Sequence, residues 1–476
     1  MIKNVIRNSV LHEPLNYIRG KFLYHLPVRI KYGKVFYDTL NFLDESEFWP
    51  EDKIRKYQLE QLQIIIGHAY KNVPYYTYLF NSIGFKPEEF NDFADLKKIP
   101  YLTKEIIQEH REKLISGNFP KKYLDYHATD GTTGVPMGFN RDKRIHASLE
   151  WAYITHQWKR VGYNHGDKCV VLRGNIVKTI KENKKYWETN WSDNCLIMSS
   201  DHLTDETIPL YIDKIKRFKP KFIQAFPSVL QIIVAFMDSN NIGPFDSVKA
   251  IFCGSENLYN WQRQLFEQVL KTRVYSWYGH CERACLAGEC EYSDYYHSFP
   301  QYGFMELINS KNDWCSQEDE QGEIVATGFG NYVMPFIRYK TQDFAINTNM
   351  KCECGRNWKI IKSVEGRLQD YLITKDHQLI PLTSIDGGSI FKNIRNLKKT
   401  QLYQNKKGIV TLKVVKGKNY SDTETNLLLN RLKDRYKNSL TFEIEFVEDI
   451  PRTKGRKFRF LVQELKPRES LRIAAT

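Results

Sequence analysis

Short apolar runs alternate with longer amphipathic segments between residues 165 and 280, and this alternation restricts the fold more than any other feature. The apolar runs predict strands at Cys169–Leu172, Phe222–Phe226, Ala250–Cys253 and from Val274 to Trp277. The amphipathic segments predict helices at Pro227–Phe236 and Trp261–Leu270. Such alternation is typical of parallel sheets with helices on both faces. Ligands of these sheets bind at the carboxyl ends of strands, which here lead into residues 254–256 and 278–280.

The pattern changes after Gly366 and Arg367. Strands near 371–374, 409–415 and 441–447 and a helix near 422–435 predict a compact α+β unit of about 100 residues, the size of a small domain. We therefore predict an α/β protein with a large N-terminal domain, residues 1–366, whose sheets are flanked by helices. Residues 1–50 form its basic N-terminal extension, and residues 367–476 form a small C-terminal domain.

The segment Thr129-Asp130-Gly131-Thr132-Thr133-Gly134-Val135-Pro136 is the most informative stretch of the sequence. Its glycines let the backbone approach an anion closely, and its hydroxyl and amide groups can surround phosphate oxygens. It is not a Walker loop, because no Gly-Lys-Ser/Thr follows. A Gly/Thr-rich hairpin turn is the alternative interpretation of the segment taken alone.

Three further motifs follow in order. Tyr278-Gly279-His280-Cys281-Glu282 ends a predicted strand and offers an aromatic ring to a base and a carboxylate to Mg²⁺. Residues 335–343 end in Asp343, an acid suited to ribose hydroxyls, and residues 451–459 form a basic loop near the C-terminus.

With these motifs the chain resembles the adenylate-forming ligase superfamily, and within it the phenylacetate–coenzyme A ligase and CapK-type capsule-biosynthesis branch. The resemblance extends from about Tyr57 to Leu465. Five family motifs match in the correct order, at Thr129–Pro136, Tyr278–Glu282, Tyr339–Asp343, Gly366-Arg367 with Asp370, and Pro451–Lys457. The branch is indicated by residues 68–70, 72–76 and 100–104. The resemblance implies that the C-terminal domain is a mobile lid.

The resemblance also implies roles for single residues. The phosphates of ATP would be held by Gly131, Thr132, Thr133 and Gly134, and Thr129 and Asp130 of the same loop would also belong to the nucleotide-binding residues. The rest of the nucleotide would be bordered by Ser255, Glu256, Tyr278, Gly279, His280 and Asp343. The catalytic residues would be Glu282, which binds Mg²⁺, Arg367, which steadies the nucleotide near the hinge, and Lys457.

The chemistry explains these residue types. Attack of a carboxylate on the α-phosphorus of ATP concentrates negative charge, so Mg²⁺ and an ammonium group are needed more than a nucleophile. A lysine on a mobile domain can be withdrawn after the acyl-adenylate forms, which frees the site for coenzyme A or another acceptor.

Three positions depart from the family pattern. Asp130 replaces the usual serine and brings a negative charge beside the phosphates, and Cys281 replaces a threonine or serine hydroxyl. Gly455 and Arg456 stand in reversed order, so that Lys454 is an alternative to Lys457 as the adenylating lysine.

Four residues have the chemistry of a structural zinc site. Cys352 and Cys354 offer half of such a site, and Cys290 with His297 can supply the other half. Because the Cys-x-Cys spacing is tighter than the common Cys-x-x-Cys, buried thiols and a hydrogen-bonded histidine are the alternative. Cys285 is a spare candidate.

The acid-binding pocket is predicted from aromatic and small residues beside the expected acyl channel. These residues are Trp151, Tyr153, Phe226, Pro227 and Ser228. Aromatic walls suit an apolar or ring-shaped acid, but large aromatic residues are also common in cores.

The net charge of +14 is compatible with phosphorylated substrates, nucleic acid or acidic lipids. We expect no nucleic-acid partner, because no zinc-finger or RNA-binding signature is present. Nine cysteines, no signal peptide and no apolar run of about 18 residues predict a cytoplasmic chain. Residues 1–34 carry seven basic residues against Glu13, which favours either a peripheral membrane contact or an ordinary basic helix.

The motif series predicts an ATP-dependent, AMP-forming acid ligase. Its acceptor is either coenzyme A or an amine or hydroxyl group in surface-polysaccharide assembly. The alternative is a nucleotide-binding scaffold or regulator without turnover, which Asp130 and Cys281 would suit.

Overall fold

A computed structural model describes residues 12–128, 137–175, 177, 185–367, 371–382, 390, 394, 397–417, 420–452 and 458–465. The chain forms two compact units. Unit 1 comprises residues 1–31, 161–276 and 369–476, and unit 2 comprises residues 32–160 and 277–368. The division into domains 1–366 and 367–476 stays a prediction.

Unit 1 contains the predicted alternation of strands and helices. Its helices are α1 (His12–His25), the first residues of α2 (Val28–Ser46), α7 (Ile208–Phe218), α8 (Pro227–Ser239) and α9 (Asn260–Leu270). Its strands are β3 (Cys169–Leu172), β4 (Trp187–Asn190), β5 (Cys195–Met198), β6 (Phe222–Ala225), β7 (Ala250–Gly254) and the start of β8 (Val274–Gly279). The strands pair in the order β4-β5-β3-β6-β7, in which β5, β3, β6 and β7 run parallel and β4 is antiparallel.

The periodicity of the sequence explains the helices of unit 1. In α7, Ile208, Tyr211, Ile212 and Ile215 are buried, which is the spacing of one helical face. In α8, Pro227 stands at the first helical turn, where its missing N–H costs no hydrogen bond. Both helices contribute to a core with β3, β5, β6 and β7, in which each fully buried aliphatic side chain adds about 1.5–3 kcal/mol.

The C-terminal part of unit 1 is the expected α+β structure. Its elements are β15 (Tyr371–Ile373), β16 (Leu379–Pro381), β17 (Leu397–Lys406), β18 (Ile409–Lys416), α10 (Asp422–Tyr436), β19 (Thr441–Phe446) and β20 (Leu461–Gln463). Four strands pair in the order β19-β18-β17-β20. The β17–β18 hairpin turns at Gly408, whose φ of 73° favours glycine. Ser421 caps α10 in a reciprocal arrangement with Glu424.

Unit 2 combines helices with a sheet that is antiparallel throughout its described pairs. Its helices are most of α2, α3 (Glu51–Asn72), α4 (Pro74–Ser82), α5 (Lys104–His110) and α6 (His146–Lys159), with 3₁₀ turns at Pro87–Glu89, Phe93–Lys98, Arg111–Leu114 and Lys121–Tyr123. Its sheet strands are the end of β8, β9 (Leu286–Gly288), β10 (Tyr296–Ser298), β11 (Gly303–Ile308), β12 (Gln321–Gly328), β13 (Tyr339–Asn347) and β14 (Ile360–Arg367). They pair in the order β11-β12-β13-β14-β10-β9-β8.

A separate hairpin of unit 2 joins β1 (Leu124–Ala128) to β2 (Gly138–Asp142). The core of unit 2 packs α3, α4 and α5 against this hairpin and the sheet, and Leu62, Ile66 and Ala69 of α3 are fully buried. The predicted fold class, sheets flanked by helices with a C-terminal α+β part, is confirmed. Among the described helices, none has the length and apolar character needed to cross a membrane.

Candidate active site

The strand order of unit 1 predicts a ligand crevice at the carboxyl ends of its parallel strands. Neighbouring strands β3 and β6 lead to opposite sides, since β5 follows on one side of the pair and β7 on the other. Such a change of direction leaves room for a ligand between the segments that follow the two strands. Those segments begin with Arg173 after β3 and with Phe226 after β6, and the Arg173 guanidinium lies 5.4 Å from the Phe226 ring.

Glu256 follows β7 at the same edge of the sheet, and its side chain connects two other segments of unit 1. Its carboxylate accepts hydrogen bonds from the Ser228 backbone N–H and hydroxyl, both at 3.1 Å, and from the Phe458 N–H at 2.8 Å. Arg452 Nη1 donates to the Ser228 Oγ at 3.3 Å. Loss of water raises the pKa of Glu256, and the three hydrogen bonds oppose that rise. Ser255, beside it, accepts a hydrogen bond from Arg173. The predicted residues Ser228, Ser255 and Glu256 are therefore neighbours.

Two motifs of unit 2 meet at Tyr278 and Asp343. The buried Tyr278 hydroxyl, near the end of β8, donates to Asp343 Oδ2 at 2.8 Å. The carboxylate of Asp343 and burial together raise the pKa of Tyr278 well above its usual value, with burial the larger cause. Arg367 is the backbone partner of Asp343 in the β13–β14 pair. The hydroxyl therefore remains a donor and fixes the orientation of the Asp343 side chain.

Glu282 is held as a buried carboxylate by two neighbours. Tyr339 donates to Glu282 Oε1 at 2.6 Å, and His280 Nδ1 lies 3.2 Å from Glu282 Oε2. Burial disfavours the charge of Glu282, but the bonds and charge of His280 and the bond from Tyr339 outweigh it and lower the pKa. Burial likewise opposes the charge of His280, while its bonds to Cys285 and Glu282 raise its pKa to about 10. The two side chains thus form a charged pair inside unit 2.

Several predicted residues lie outside the described part of the chain. They are Thr129, Asp130, Gly131, Thr132, Thr133 and Gly134 of the phosphate loop, the two lysines Lys454 and Lys457, and the hinge residue Asp370. Arg367 is described only by its backbone, and Gly279 is exposed at the end of β8. The roles of all these residues stay predictions.

The predicted pocket residues lie in both units. On α6 of unit 2, the ring of Trp151 packs edge-on against Trp158, and Tyr153 packs against Phe299 and Tyr302 in a small core. In unit 1, Phe226, Pro227 and Ser228 join β6 to α8 beside Glu256. A pocket role stays a prediction for all five residues.

Unit 2 brings the four predicted zinc ligands together. The three thiol sulfurs and a ring nitrogen of Cys290, His297, Cys352 and Cys354 all lie within 4.8 Å of one another. Cys290 Sγ is 3.5 Å from Cys352 Sγ, and Cys354 Sγ is 3.3 Å from His297 Nε2. Burial opposes a thiolate at Cys290, but its bond to His297 and further hydrogen bonds lower its pKa to about 5. We call these four residues the cysteine cluster.

The surroundings of the cysteine cluster support its geometry. His297 Nδ1 lies 3.1 Å from the Tyr295 carbonyl, so that the protonated Nδ1 leaves Nε2 for a metal ion. Arg356, two residues after Cys354, is buried between Glu47 and Glu291 with contacts of 2.7 and 3.0 Å. These ion pairs fix the loop that carries Cys352 and Cys354.

Sequence reasoning missed several partners in these sites. Tyr339 was recognised only as the start of a motif, although its hydroxyl binds Glu282. Arg173 has no local signal that would distinguish it from other arginines, and Arg452 belongs to a recognised motif without its bond to Ser228 having been predicted. The clearest missed signal is Asp-x-His in β1, since residues 125 and 127 share one face of that strand.

Comparisons with known proteins support the same family. Residues 372–464 match the family described as the CapK C-terminal domain. Protein CapK of Staphylococcus aureus is 24% identical over 458 residues, which cover 94% of this chain and 96% of that protein. Phenylacetate-coenzyme A ligase of Aromatoleum evansii is 28% identical over 346 residues, 71% of this chain and 76% of that enzyme.

A crystal structure of 2-hydroxyisobutyryl-CoA ligase in the postadenylation state, in complex with R3-HIB-AMP, has a similar fold. The TM-score is 0.69 at 15% identity, and the match covers 88% of this chain and 92% of that chain. At this identity the likeness establishes the fold. The sequence relatives confirm the resemblance and support the predicted enzyme class, an AMP-forming acid ligase: the chain is similar over most of its length to protein CapK and to phenylacetate-coenzyme A ligase.

Proposed function

We propose that this protein uses ATP to activate a carboxylic acid and then transfers the acyl group to a second substrate. In the first step a carboxylate oxygen attacks the α-phosphorus, which gives an acyl-adenylate and releases pyrophosphate. In the second step a thiol, amine or hydroxyl group attacks the acyl carbon and AMP leaves. The observation that carries the proposal is the meeting of two motifs in unit 2, through Tyr278 with Asp343 and Glu282 with Tyr339.

Glu282 fits the part of a magnesium ligand. Its pKa is lowered despite burial, so the carboxylate is charged at neutral pH. Each oxygen takes part in one contact, with Tyr339 or His280, and retains lone-pair capacity for a hard cation. A magnesium ion there would neutralise charge on the phosphates of ATP.

The other proposed nucleotide contacts follow from the motifs. Asp343, oriented by Tyr278, offers an oxygen acceptor to ribose hydroxyls. Ser255 and Glu256 stand directly after β7, at the carboxyl edge of parallel strands. The phosphate-loop residues 129–134, Arg367 and Lys457 keep the roles that the resemblance implies.

The cysteine cluster fits a structural Zn²⁺ ion. Three sulfur ligands and one imidazole nitrogen make a closed tetrahedral set, without an open position for chemistry. An ion there would cross-link β10 with the segment between β13 and β14. Loss of that ion is therefore expected to lower stability without changing which acid is activated.

The relatives suggest two acceptors for the acyl group, each with its own pathway. Similarity to CapK over 94% of the chain supports a role in capsule or surface-polysaccharide assembly, while similarity to phenylacetate–coenzyme A ligases supports coenzyme A. A carboxylate and coenzyme A, or a sugar amine or hydroxyl, are the corresponding substrates.

Helix α1 adds a reason to place the protein at an anionic membrane surface. Ile18 and Phe22 of α1 and Ile30 near the start of α2 are 63%, 67% and 67% exposed, and Arg19 beside Ile18 is also exposed. The opposite face of the helix packs in unit 1, where Gly20 is buried against Trp191. Apolar side chains flanked by basic ones suit a bilayer with anionic lipids. Cosedimentation with phosphatidylglycerol vesicles, but not phosphatidylcholine vesicles, should occur and should be lost in Ile18→Glu/Phe22→Glu.

The direct test of the ligase is carboxylate-dependent exchange of labelled pyrophosphate into ATP. We would screen pools of aromatic, fatty, amino and sugar acids and then supply coenzyme A or sugar acceptors to the responding pool. Glu282→Gln should reduce exchange about 100-fold or more, the range for loss of one group that stabilises transition-state charge. Lys457→Ala should abolish it, whereas Lys454→Ala should not.

Two outcomes would contradict the proposal. Silence in every pool despite measurable ATP binding would favour the scaffold or regulator without turnover, and absence of ATP binding would remove the basis for both functions. The variant His68→Gln, whose ring bonds the carbonyl of Tyr332, serves as a control that should keep wild-type exchange.

A further inference from the structure

A second group of metal-binding side chains lies in unit 2, apart from the cysteine cluster. It consists of Asp125 and His127 on β1 and His146 at the start of α6, and we call it the histidine–aspartate cluster. Asp125 Oδ2 is 3.0 Å from His127 Nε2 and 2.7 Å from His146 Nε2. All three atoms lie within 4.8 Å of one another.

The fold explains why the three side chains converge. Asp125 and His127 are two residues apart on a strand, so they project from the same face. His146 begins the helix that follows the β1–β2 hairpin, four residues beyond the last residue of β2. The rings of His127 and His146 meet edge-on, with centroids 5.1 Å apart, and both direct Nε2 to the same carboxylate oxygen.

We propose that the histidine–aspartate cluster binds a divalent transition-metal ion of the Zn²⁺ type. Two imidazole nitrogens and one carboxylate oxygen are a common protein ligand set for such ions, with water completing the coordination. Bonds of about 2.0–2.2 Å to a central ion need ligand atoms roughly 3.3 Å apart in a tetrahedron. The present separations of 2.7 and 3.0 Å reach that value with shifts of a few tenths of an ångström at each side chain.

Exposure of the cluster leaves a route for an ion and its water. The side chains of Asp125, His127 and His146 are 37%, 31% and 17% exposed. This differs from the cysteine cluster, where Cys290 and His297 are fully buried. The open position distinguishes a three-ligand site from a closed four-ligand structural site.

The arginines around the cluster differ in their partners. Arg283 lies 3.3 Å from Glu150, and Arg144 lies 2.7 Å from Asp142, so both guanidinium groups have acidic partners. Arg141, the register partner of Asp125 in the hairpin, is buried, and its positive charge opposes a second cation at the cluster.

An ion in this place would join the base of the β1–β2 hairpin to the first residue of α6. The hairpin carries residues 129–136 between its strands, so the ion would set the base of the predicted phosphate loop. The inference is independent of the proposed ligase function, because it concerns metal binding to the unliganded chain.

Metal analysis after equilibrium dialysis of the full chain against Zn²⁺ tests the inference. The zinc content of wild type should exceed that of the variants His127→Ala, His146→Ala and Asp125→Asn by one ion per chain. Cys352→Ser/Cys354→Ser, which removes two ligands of the cysteine cluster, should retain the ion of the histidine–aspartate cluster. His110→Ala, a change at another histidine of unit 2, should leave the zinc content unchanged.

Co²⁺ provides a second readout that identifies the ligands. In Cys352→Ser/Cys354→Ser, bound cobalt should show ligand-field absorption without a sulfur-to-metal charge-transfer band, and His127→Ala should abolish that absorption. Circular dichroism would verify that each variant is folded, and Asp125→Asn retains the shape of the native side chain. Zinc and cobalt binding that is equal in wild type and the three cluster variants would overturn the proposal.

Discussion

Replacing His280 with glutamine tests the charged pair at Glu282. The change removes the cation that lies 3.2 Å from the buried carboxylate and leaves the bond from Tyr339. Breaking a buried pair on one side costs about 3–5 kcal/mol. A pKa of His280 raised from 6.5 to about 10 corresponds to roughly 5 kcal/mol at most. Both figures describe the same interaction and are not added.

The pH dependence of the unfolding free energy tests whether His280 is protonated in the folded protein. Because the pKa of His280 is raised on folding, its contribution is complete below pH 6.5 and is lost as the pH rises towards 10. Because the pKa of Glu282 is lowered, its contribution is present above about 4.3, the ordinary value, and is lost only in acid. Wild type should therefore lose stability between pH 7 and 10, and His280→Gln should not lose it in this range.

Urea unfolding of wild type and His280→Gln at pH 6.5, 8 and 10 measures the effect. We expect the difference in unfolding free energy to shrink from about 3–5 kcal/mol at the lowest pH to about 1 kcal/mol at the highest, the worth of an ordinary hydrogen bond. His68→Gln is the matched control and should show no such trend. A difference that stays constant from pH 6.5 to 10 would refute the assignment of a protonated His280.

Three further predictions concern other contacts. Arg338→Met leaves the buried carboxylate of Glu306, now 2.9 Å from Arg338, without its cation, and should lower the unfolding free energy by about 3–5 kcal/mol in urea titrations. Adding Glu306→Leu should recover more than half of this loss; no recovery would argue against an uncompensated charge. Cys354→Ser should lower both the zinc content and the melting temperature, and a chelator should lower the melting temperature of wild type but have little effect on that of the variant. Ser228→Ala removes a hydroxyl that donates to Glu256 and should raise the pKa of Glu256 further. ATP binding should weaken by about 1 kcal/mol, which would appear as a higher KM for ATP in pyrophosphate exchange. An unchanged KM would contradict a role of Ser228 and Glu256 in nucleotide binding.

The elements of unit 1 could be predicted because local patterns determine them. The apolar runs at β3, β6 and β7 and the helical spacing in α8 and α9 are each contained within a dozen residues of sequence, whereas α7 was not predicted. Strand β17 was missed, because its polar composition, Leu397–Lys406, lacks the apolar run of a buried strand. The antiparallel sheet of unit 2 was also missed, since its pairs join residues far apart in the chain and alternate apolar and polar side chains.

In the candidate site, too, some residues could be predicted from local motifs and others could not. Motifs indicated Glu282, Asp343 and the cysteine cluster, because their residue types carry recognisable chemistry. They did not indicate that Tyr339 would bind Glu282 or that His146 would approach Asp125, 21 residues earlier. Such partners depend on how strands and helices pack, and a single sequence does not state those distances.

The two contacts on either side of residues 453–457 have a consequence for which sequence changes this chain can accept. Arg452 is attached to Ser228, and the backbone of Phe458 is attached to Glu256, so the segment between them starts and ends at fixed points. A change in the order of residues inside such a span, like the reversal at Gly455 and Arg456, leaves the span's length and its attachment points intact. Apart from Lys457, substitutions there should disturb the two contacts less than an insertion or deletion of one residue, which would displace Arg452 or Phe458 from its partner.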